Sequence, residues 1–440
     1  MIPHQIRPAK WLQASIYLGF CAALYPIAKL PPGTRAWAYI TVHIALYIVM
    51  LWSWRTSSRE KGLGGLILVG LAARLILVEA EPFTSEDVWR YLWDGAVALG
   101  GWDPYRLSPD SESLQYLGNL WHLPPSNREY VSLYPPLAMF TFMGVAAHGA
   151  ASALLVWKVI LTLASILSML IMLSILRTYK REQHFSLIAL NPLLILESGV
   201  GAHVDGLSLL WVSALLWALS KARFPLAGGF VGLGILTKLT PIIFLPAILA
   251  FTTQRQRLRV VTALGLVLSL GYVASLLAGW EAIGSLGTFV QNWRFGAPIS
   301  ASLRWALGEE RGSFLAIALA GATYMGLLMA EALKTPSANE QFLRMVKAMF
   351  LGGTVFLLSS PVAFPWYWMI LVPLLTVRPS WLGLLCVGAA PLSYEVVALY
   401  DSQGIWAPHP WPLWVLGTGA LLGFWLDAKG PKLSTKDLRL

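Results

Sequence analysis

Apolar runs long enough to cross a bilayer recur along the whole chain, and they constrain the fold more than any other feature. A helix needs about 20 apolar residues to cross the hydrocarbon core of a membrane. Because lipid offers the backbone no hydrogen-bond partner, runs of this length predict helices. The runs lie at about 11–30, 36–54, 62–80, 152–176, 185–202, 204–220, 260–280, 313–333, 346–363, 380–400 and 412–428, with shorter or broken runs at about 134–150, 225–251 and 366–377. We expect an all-α polytopic membrane protein with about 12 (10–14) transmembrane helices, forming a single integral-membrane domain over residues 1–440.

The composition agrees with this class. Hydrophobic residues make up 57% of the chain and charged residues only 12%, whereas about a quarter of the residues of a soluble protein are charged. A soluble multidomain chain is therefore excluded. The net charge of +10 comes mostly from short loops between the apolar runs, so it indicates topology rather than nucleic-acid binding. Cys21 and Cys386 lie inside apolar runs and indicate neither a disulfide framework nor a zinc cluster.

The basic residues predict which side of the membrane each loop faces, since Lys and Arg are enriched in cytoplasmic loops. They place both termini in the cytoplasm, with a basic tail at 429–440. The first apolar run is interpreted as a retained span, because no signal-peptide cleavage site precedes Lys29. The segments predicted to face outward are 81–133, 203, 281–312, 364–366 and 401–411.

Two apolar runs do not fit a simple alternation of crossings. The run at 134–150 must be re-entrant or only partly inserted, because an odd number of crossings separates the outer loop from the inner loop at Arg177. The run at 225–251 begins and ends on the inner side, so it must bend back. We expect the bend at 238–241, because Pro241 breaks a helix.

The loop at 81–105 is the richest candidate for a functional site. It carries the acids Glu86, Asp87 and Asp94 among large aromatic side chains, and carboxylates beside stacking aromatics suggest a sugar-handling site. If a helix begins at Asp87, Tyr91 and Asp94 share its face, and Ser85 or Thr84 could cap it. The alternative is a set of helix-capping acids on a solvated loop. The aromatic residues expected to stack sugar rings include Trp89, Tyr91 and Tyr105.

Other polar residues interrupt the apolar runs, where a polar group without a function is costly. His203 and Asp205 lie in a glycine-rich turn and could contact a substrate, or simply be the polar tips of that turn. Lys238 could neutralise a phosphate, or it could snorkel to the interface. Arg74 and Arg294 are further candidate cations.

A proline- and aromatic-rich break at 359–368 completes the set of candidates. Trp366 and Tyr367 lie there directly after the second of two prolines, and they predict either the wall of a shaped cavity or an interfacial aromatic belt. His203 and Asp205 alone are too few ligands for a metal site. We therefore expect no required cofactor; a divalent metal is possible but has no support in the sequence.

The candidate segments form an ordered set of short motifs. These are ED-x-x-RY (86–91), DPY (103–105), YPPL (134–137), NPL…E…G-x-H-x-D (191–205), G-x-L-T-K-L-x-P (234–241) and SPV…PWYW (360–368). The set resembles the GT-C superfamily of integral-membrane glycosyltransferases over roughly residues 60–370. Within it, the chain is most similar to polyprenol-phosphate-mannose-dependent mannosyltransferases, including the bacterial α-mannosyltransferases of glycolipid assembly and the catalytic subunit of GPI mannosyltransferase I.

The resemblance implies a GT-C-like bundle whose large first outer loop, 81–133, is catalytic and contains interfacial helices. It also implies a polyprenyl-phosphate sugar donor, a lipid-linked or glycan hydroxyl as acceptor, and inverting transfer on the outer, periplasmic face of a bacterial inner membrane. The catalytic acid of the family falls on Asp87, with Glu86 beside it. Many members carry a histidine before the PWY motif, where this chain has Phe364, so that role is vacant or filled by His203.

This reading gives the candidate residues specific roles. Asp87 would act as general base on the acceptor hydroxyl, and Lys238, Arg74 or Arg294 would stabilise the departing phosphate. The residues expected to contact substrate are Lys238, Arg74, Arg294, His203, Asp205, Trp89, Tyr91, Asp94, Tyr105, Tyr134, Trp366 and Tyr367. Two alternatives stay open: a secondary transporter, which broken helices and intramembrane charges would suit, and a non-catalytic glycolipid-binding subunit.

Overall fold

The computed structural model describes residues 8–57, 62–332, 338–430 and 433. Over these residues the secondary structure is helical, apart from one isolated parallel bridge between Phe295 and Val362. The predicted all-α class is therefore confirmed. Parts of the predicted topology lie outside the described residues, namely Arg7, most of the basic loop at 55–61, Lys334 and most of the basic tail at 429–440.

The helices have the following bounds. The α-helices in chain order are α1 (Pro8–Ala22), α2 (Leu24–Ala28), α3 (Pro32–Thr56), α4 (Leu63–Ile76), α5 (Asp87–Leu99), α6 (Pro136–Ala146), α7 (Ala150–Thr178), α8 (Ser186–Ala189), α9 (Pro192–Gly199), α10 (Asp205–Ser220), α11 (Phe224–Thr237), α12 (Leu245–Ala250), α13 (Gln254–Leu277), α14 (Leu286–Asn292), α15 (Pro298–Leu307), α16 (Glu309–Ala332), α17 (Ala338–Ser359), α18 (Val372–Val377), α19 (Trp381–Ala389), α20 (Glu395–Gln403) and α21 (Trp411–Lys429). Short 3₁₀ helices cover Glu112–Asn119, Glu182–His184, Thr240–Phe244, Pro365–Leu371 and Ala390–Tyr394.

Among the described residues, seven helical segments are long and apolar enough to cross a membrane. These segments are Trp11–Ala28, Pro32–Thr56, Ala150–Thr178, Gln254–Leu277, Glu309–Glu331, Glu340–Ser359 and Trp381–Gln403. Shorter apolar helices, such as α4, α10 and α11, account for other predicted runs. The protein is therefore a polytopic integral membrane protein. The predicted number of about 12 transmembrane helices is not confirmed, because several of the predicted apolar runs form shorter helices.

Prolines explain why several apolar runs are broken rather than continuous. The run predicted at 185–202 consists of the short helices α8 and α9, and Pro192 occupies the first turn of α9. The run predicted at 380–400 changes to a 3₁₀ helix at Ala390–Tyr394, where Pro391 lies in the first turn. Proline has no backbone N–H to donate to the preceding turn, so a helix ends or changes geometry before it.

The apolar run at 225–251 is interrupted at the predicted position, 238–241. Helix α11 ends at Thr237, and Lys238 has extended backbone angles, φ −158° and ψ 138°. The chain then enters the 3₁₀ helix Thr240–Phe244, with Pro241 in its first turn. The break brings a lysine to the end of an apolar helix instead of leaving it within a continuous span.

Helix α6, in the run predicted to be re-entrant or only partly inserted, is too short to cross the membrane. It contains 11 residues, and a helix of that length rises only about 16 Å, roughly half of the hydrocarbon thickness. It packs closely on α5, because a Cβ added to Gly95 of α5 would lie 2.3 Å from the carbonyl oxygen of Phe142 in α6. This contact seats α5, and with it the acidic loop, against the helix bundle.

Candidate active site

A cavity of about 740 Å³ opens at one end of the bundle. Its wall comes from residues within 82–90, 124–134, 285–295, 364–367 and 393–406, together with Arg35 and Lys238. These segments are far apart in the chain, yet most of them lie in the regions that the sequence assigns to the outer side. A cavity of this size is in the range of about 300–1,000 Å³ that is usual for small-molecule sites.

Asp87 presents its carboxylate to this cavity from the first residue of α5. Its side chain is 39% exposed, and its Oδ2 lies 3.5 Å from Nδ1 of His203. The hydroxyl of Tyr91 donates to the same oxygen over 3.4 Å, and the Asp87 backbone N–H donates to Ser85 Oγ over 3.1 Å. The carboxylate is thus held from behind while one side of it faces the cavity.

The surroundings of Asp87 keep this carboxyl ionised. Burial by itself raises its pKa, but the hydrogen bond and charge of His203, the charge of Lys238 and the hydroxyl of Ser85 outweigh that effect. The net result is a pKa below the ordinary value of 3.8. Asp87 is therefore in the form that can accept a proton throughout the physiological pH range.

His203 lies behind Asp87 and is fully buried. Its ring stacks on Trp366 with a centroid distance of 3.7 Å and an interplanar angle of 14°. Nδ1 faces Asp87, and Nε2 lies 3.4 Å from Oε2 of Glu197. The predicted glycine-rich turn thus points its histidine into the protein, between two carboxylates, rather than into the cavity.

Lys238 lines the same cavity as Asp87, at the break that follows α11. Its Nζ donates to Oδ2 of Asp205 over 2.6 Å and lies 3.9 Å from the ring centroid of Tyr367. Asp205 is fully buried, whereas the Lys238 side chain is 15% exposed. Because an ammonium group has three N–H donors, pairing with Asp205 leaves Lys238 able to bind an anion.

Several other predicted residues also line the cavity. Glu86 accepts a hydrogen bond from the Tyr400 hydroxyl over 3.3 Å. Arg294 donates Nη1 to the carbonyls of Val290 and Trp293, and its Nε lies 3.6 Å from Glu309. The predicted aromatic residues found in the wall are Trp89, Tyr134, Trp366 and Tyr367.

Besides His203 and Asp205, which are buried, three further predicted substrate contacts lie behind the cavity wall and not in it. Tyr91 is buried, with its ring stacked on Phe142 at 4.9 Å. Tyr105 is buried, and its hydroxyl donates to the carbonyl of Tyr134 over 2.7 Å. Asp94 is buried and binds Arg90 over 2.7 Å, and burial raises the pKa of its carboxyl despite that partner.

Arg74 is also away from the cavity, so its position does not suit the predicted phosphate contact. Its guanidinium is buried and donates to the carbonyls of Gly70, Ile188 and Ala189 and to the hydroxyl of Ser165. Ile188 and Ala189 form the end of α8, where carbonyl groups lack helical partners. Arg74 therefore serves as a buried cap for that helix end.

The sequence interpretation missed part of the site on the opposite wall. Arg35 at the start of α3 binds Asp401 over 2.5 Å, and its guanidinium lies 5.5 Å from the ring centroid of Phe83. Trp406 packs beside Phe295 and Phe364 on the same wall. The available signal was their position, since 401–411 was already assigned to the outer side and Arg35 begins an apolar run.

In the part of the chain that the structure describes, no three His, Cys, Asp or Glu side chains are grouped so that they could hold a metal ion.

A polytopic helical membrane protein with an ionised carboxylate, a cation and stacked aromatics around one cavity has the parts expected of a membrane-embedded sugar transferase. Residues 21–254, more than half of the chain, match the family described as alpha-(1->6)-mannopyranosyltransferase, N-terminal domain. The chain belongs to this mannosyltransferase family, which confirms the predicted resemblance to mannosyltransferases. No curated protein and no solved structure matches the chain.

The family match covers one part of the site and not the other. Asp87, His203, Asp205 and Lys238 lie within the matched residues, whereas Arg294, Trp366 and Tyr367 lie beyond residue 254. The candidate base and the candidate phosphate-binding cation therefore belong to the segment that defines the family.

Proposed function

We propose that this protein transfers mannose from a polyprenyl-phosphate donor to a hydroxyl group of a lipid-linked or glycan acceptor, as an inverting GT-C-type glycosyltransferase. The observation that carries the proposal is that the ionised carboxylate of Asp87 and the ammonium of Lys238 face the same cavity of about 740 Å³. One group suits the acceptor hydroxyl and the other suits the leaving phosphate.

Asp87 acts as the general base. As the acceptor oxygen forms its bond to the anomeric carbon, its proton passes to the Asp87 carboxylate. The bond between that carbon and the phosphate oxygen breaks on the opposite face of the sugar, and its electron pair leaves with the phosphate. General-base catalysis of this kind contributes about 10²–10⁴-fold, and the low pKa of Asp87 keeps the proton acceptor available.

Lys238 binds the donor phosphate. Its pairing with buried Asp205 fixes the ammonium at the cavity wall, where it stabilises negative charge as the phosphate departs. Arg294 lines the same cavity and supplies a second cation. A lipid monophosphate carries less charge than a nucleotide diphosphate, so this chemistry does not require a metal ion.

The aromatic residues of the wall hold the sugars. Trp366 is stacked between His203 and Phe364, so Phe364 is the ring of this stack that is free to meet a sugar in the cavity. Trp89 and Tyr134 border it from the side of the acidic loop. Flat apolar faces of this kind pack against sugar rings, while Glu86 and the groups on the opposite wall bind hydroxyls.

The cavity faces the outer, periplasmic side of a bacterial inner membrane, with both termini in the cytoplasm. The support is the distribution of basic loops in the sequence, which assigns most cavity-lining segments to the side opposite the Lys- and Arg-rich loops. The lipid tail of the donor then lies among the helices while its phosphate reaches Lys238.

The test is transfer by purified protein in lipid vesicles with extracted membrane lipids as acceptors. Three labelled donors are compared: polyprenyl-phosphate mannose, polyprenyl-phosphate glucose and a nucleotide diphosphate mannose. We expect label in a new lipid only from polyprenyl-phosphate mannose. Transfer from the nucleotide sugar would overturn the donor assignment, and folded protein that transfers from none of the three would revive the transporter alternative.

A further inference from the structure

We propose that Glu197 is a positioning residue, which acts through His203 to orient Asp87 and to keep it ionised. The inference rests on the proposed base role of Asp87 and adds a residue to it. Glu197 itself does not line the cavity, so its effect on the reaction must pass through the histidine.

The side chains of Asp87, His203 and Glu197 form a row that runs from the cavity into the protein. Asp87 Oδ2 lies 3.5 Å from His203 Nδ1, and His203 Nε2 lies 3.4 Å from Glu197 Oε2. The exposed fraction falls from 39% at Asp87 to 0% at both His203 and Glu197. Each ring nitrogen of the histidine therefore faces a carboxylate, and only the outermost carboxylate reaches the cavity.

Glu197 is held rigidly at the inner end of this row. The hydroxyl of Tyr394 lies 2.7 Å and 2.8 Å from its two carboxylate oxygens, and the hydroxyl of Tyr39 donates to Oε1 over 3.2 Å. These tyrosines come from the 3₁₀ helix Ala390–Tyr394 and from α3, far apart in the chain. Hydrogen bonds to a charged acceptor are the strong ones, so the carboxylate has one fixed position.

The backbone between Glu197 and His203 is shaped for this contact. A Cβ added to Gly201 would lie 2.4 Å from Glu197 Oε2 and 2.6 Å from His203 Cδ2, so only glycine fits there. Ala202 has φ +52°, in the left-handed region that a non-glycine residue rarely adopts. The indole N–H of Trp157 holds this turn by donating to the Ala202 carbonyl over 2.8 Å. Strained turns of this kind persist where a function depends on them.

The charges explain why a second carboxylate behind the histidine matters. A neutral imidazole has one N–H and can donate to only one of its two carboxylate neighbours. A protonated imidazole donates to both and separates their negative charges. Glu197 therefore helps to set how the ring donates to Asp87, and that hydrogen bond lowers the pKa of Asp87.

Other titratable groups border the row and leave this balance in place. They are Tyr39, Tyr91, Tyr134, Tyr367, Tyr394, Asp205 and Lys238. The tyrosines are neutral hydrogen-bond donors, and Asp205 is paired with Lys238. Glu197 is therefore the carboxylate that faces His203 on its inner side.

The test compares wild type with Glu197→Gln, which keeps the size of the side chain and can still accept from both tyrosines. We expect kcat to fall about 10–100-fold, as when an outer partner that orients a functional group is lost, while KM for the donor stays unchanged. We also expect the acid limb of the pH profile of kcat to move to higher pH, because a ring no longer held from behind weakens the hydrogen bond that lowers the pKa of Asp87. An equal loss at every pH would mean a structural role only and would overturn the proposal.

A matched control is Glu395→Gln. Glu395 is also buried and binds a histidine, His409, over 2.6 Å, but it makes no contact with Asp87. We expect this variant to leave the acid limb where it is. Glu197→Asp, which keeps the charge, should restore most of the wild-type limb; a limb displaced as far as in Glu197→Gln would contradict the role of charge.

A readout independent of activity separates this inference from the proposed function. In protein labelled with ¹⁵N-histidine, the His203 signals are assigned by their loss in His203→Gln. We expect these signals to differ between wild type and Glu197→Gln, because the ring loses one of its two carboxylate neighbours. Identical spectra would overturn the inference. The expected spectra from a wild type that transfers no mannose would instead count against the proposed function alone.

Discussion

Two carboxylates on the same helix, Asp87 and Asp94, have opposite surroundings. They are seven residues apart, which places them two turns apart on one side of α5. Asp87 faces the cavity, and its pKa lies below the ordinary value. Asp94 is buried against Arg90, and burial raises its pKa. The helix positions both acids, but its surroundings determine which of them can meet a substrate.

The loop that contains Asn127 and Tyr130 accounts for this difference in burial between the two acids. Arg90 binds Asp94 and also donates to the carbonyls of Asn127 and Tyr130, so the loop closes over the second turn of α5. The first turn, with Asp87, lies beyond this cover and borders the cavity. Asp87 is therefore accessible from the cavity, whereas Asp94 binds only protein groups.

The cations Arg74 and Lys238 show the same contrast. Both lie near the ends of apolar helices, α4 and α11. The guanidinium of Arg74 donates four hydrogen bonds to protein acceptors. Lys238, in contrast, has one carboxylate partner and borders the cavity. A charge in an apolar run thus indicates a ligand site only when donors remain for the ligand.

The largest expected effect separates the two acids. Asp87→Asn should lower mannose transfer by about 10²–10⁴-fold, because the amide cannot accept the proton. Asp94→Asn should keep turnover within a few-fold of wild type. Transfer rates at saturating donor, with thermal unfolding in detergent as a check on folding, measure this difference. Equal losses of turnover in the two variants would contradict the assignment of Asp87 alone.

A smaller effect is expected at the donor phosphate. Lys238→Met should raise KM for the donor about 10–100-fold, since a hydrogen bond to a charged group contributes about 1.5–3 kcal/mol. It should also destabilise the protein by about 3–5 kcal/mol, because Asp205 is left buried without its partner. The double variant with Asp205→Asn should regain stability but not donor affinity. Recovery of both would show that Lys238 has a structural role only.

The next effect is on stability, and it again compares Asp94 with Asp87. Asp94→Asn should lower the free energy of unfolding by about 1–3 kcal/mol, because Arg90 loses its charged partner in a buried position. Asp87→Asn, at the exposed end of α5, should cost less. Thermal unfolding of the two purified variants under the same conditions checks the order; a more stable Asp94→Asn would refute it.

The smallest effect is a shift in pH dependence. His203 lowers the pKa of Asp87 in the wild type, so transfer should persist as pH falls until Asp87 is protonated below its ordinary pKa. In His203→Gln this pKa rises, and the acid limb of kcat should move to higher pH. Profiles of the two proteins in the same vesicles measure the shift. A limb at lower pH in the variant would contradict the sign.

The sequence predicted those features that depend on local chemistry. Spanning runs gave the helical membrane class, and the proline at 241 located the bend at Lys238. The acidic loop after an early span singled out Asp87, and the predicted helix does begin at this residue. In each case the signal lay within a few residues of the feature.

Features that depend on distant contacts could not be predicted in this way. The burial of Asp94 depends on carbonyls at 127 and 130, and the saturation of Arg74 depends on a helix end at 188–189. The row from Asp87 to Glu197 joins three elements and is fixed by tyrosines at 39 and 394. A single sequence carries no direct sign of such pairings.

The most direct test of the account is an experimental structure of Asp87→Asn with polyprenyl-phosphate mannose bound. The account predicts the phosphate at Lys238 and the mannose ring in the cavity, with the side chain at 87 facing the space where an acceptor hydroxyl would attack. A phosphate bound elsewhere, or a mannose ring out of reach of residue 87, would contradict it.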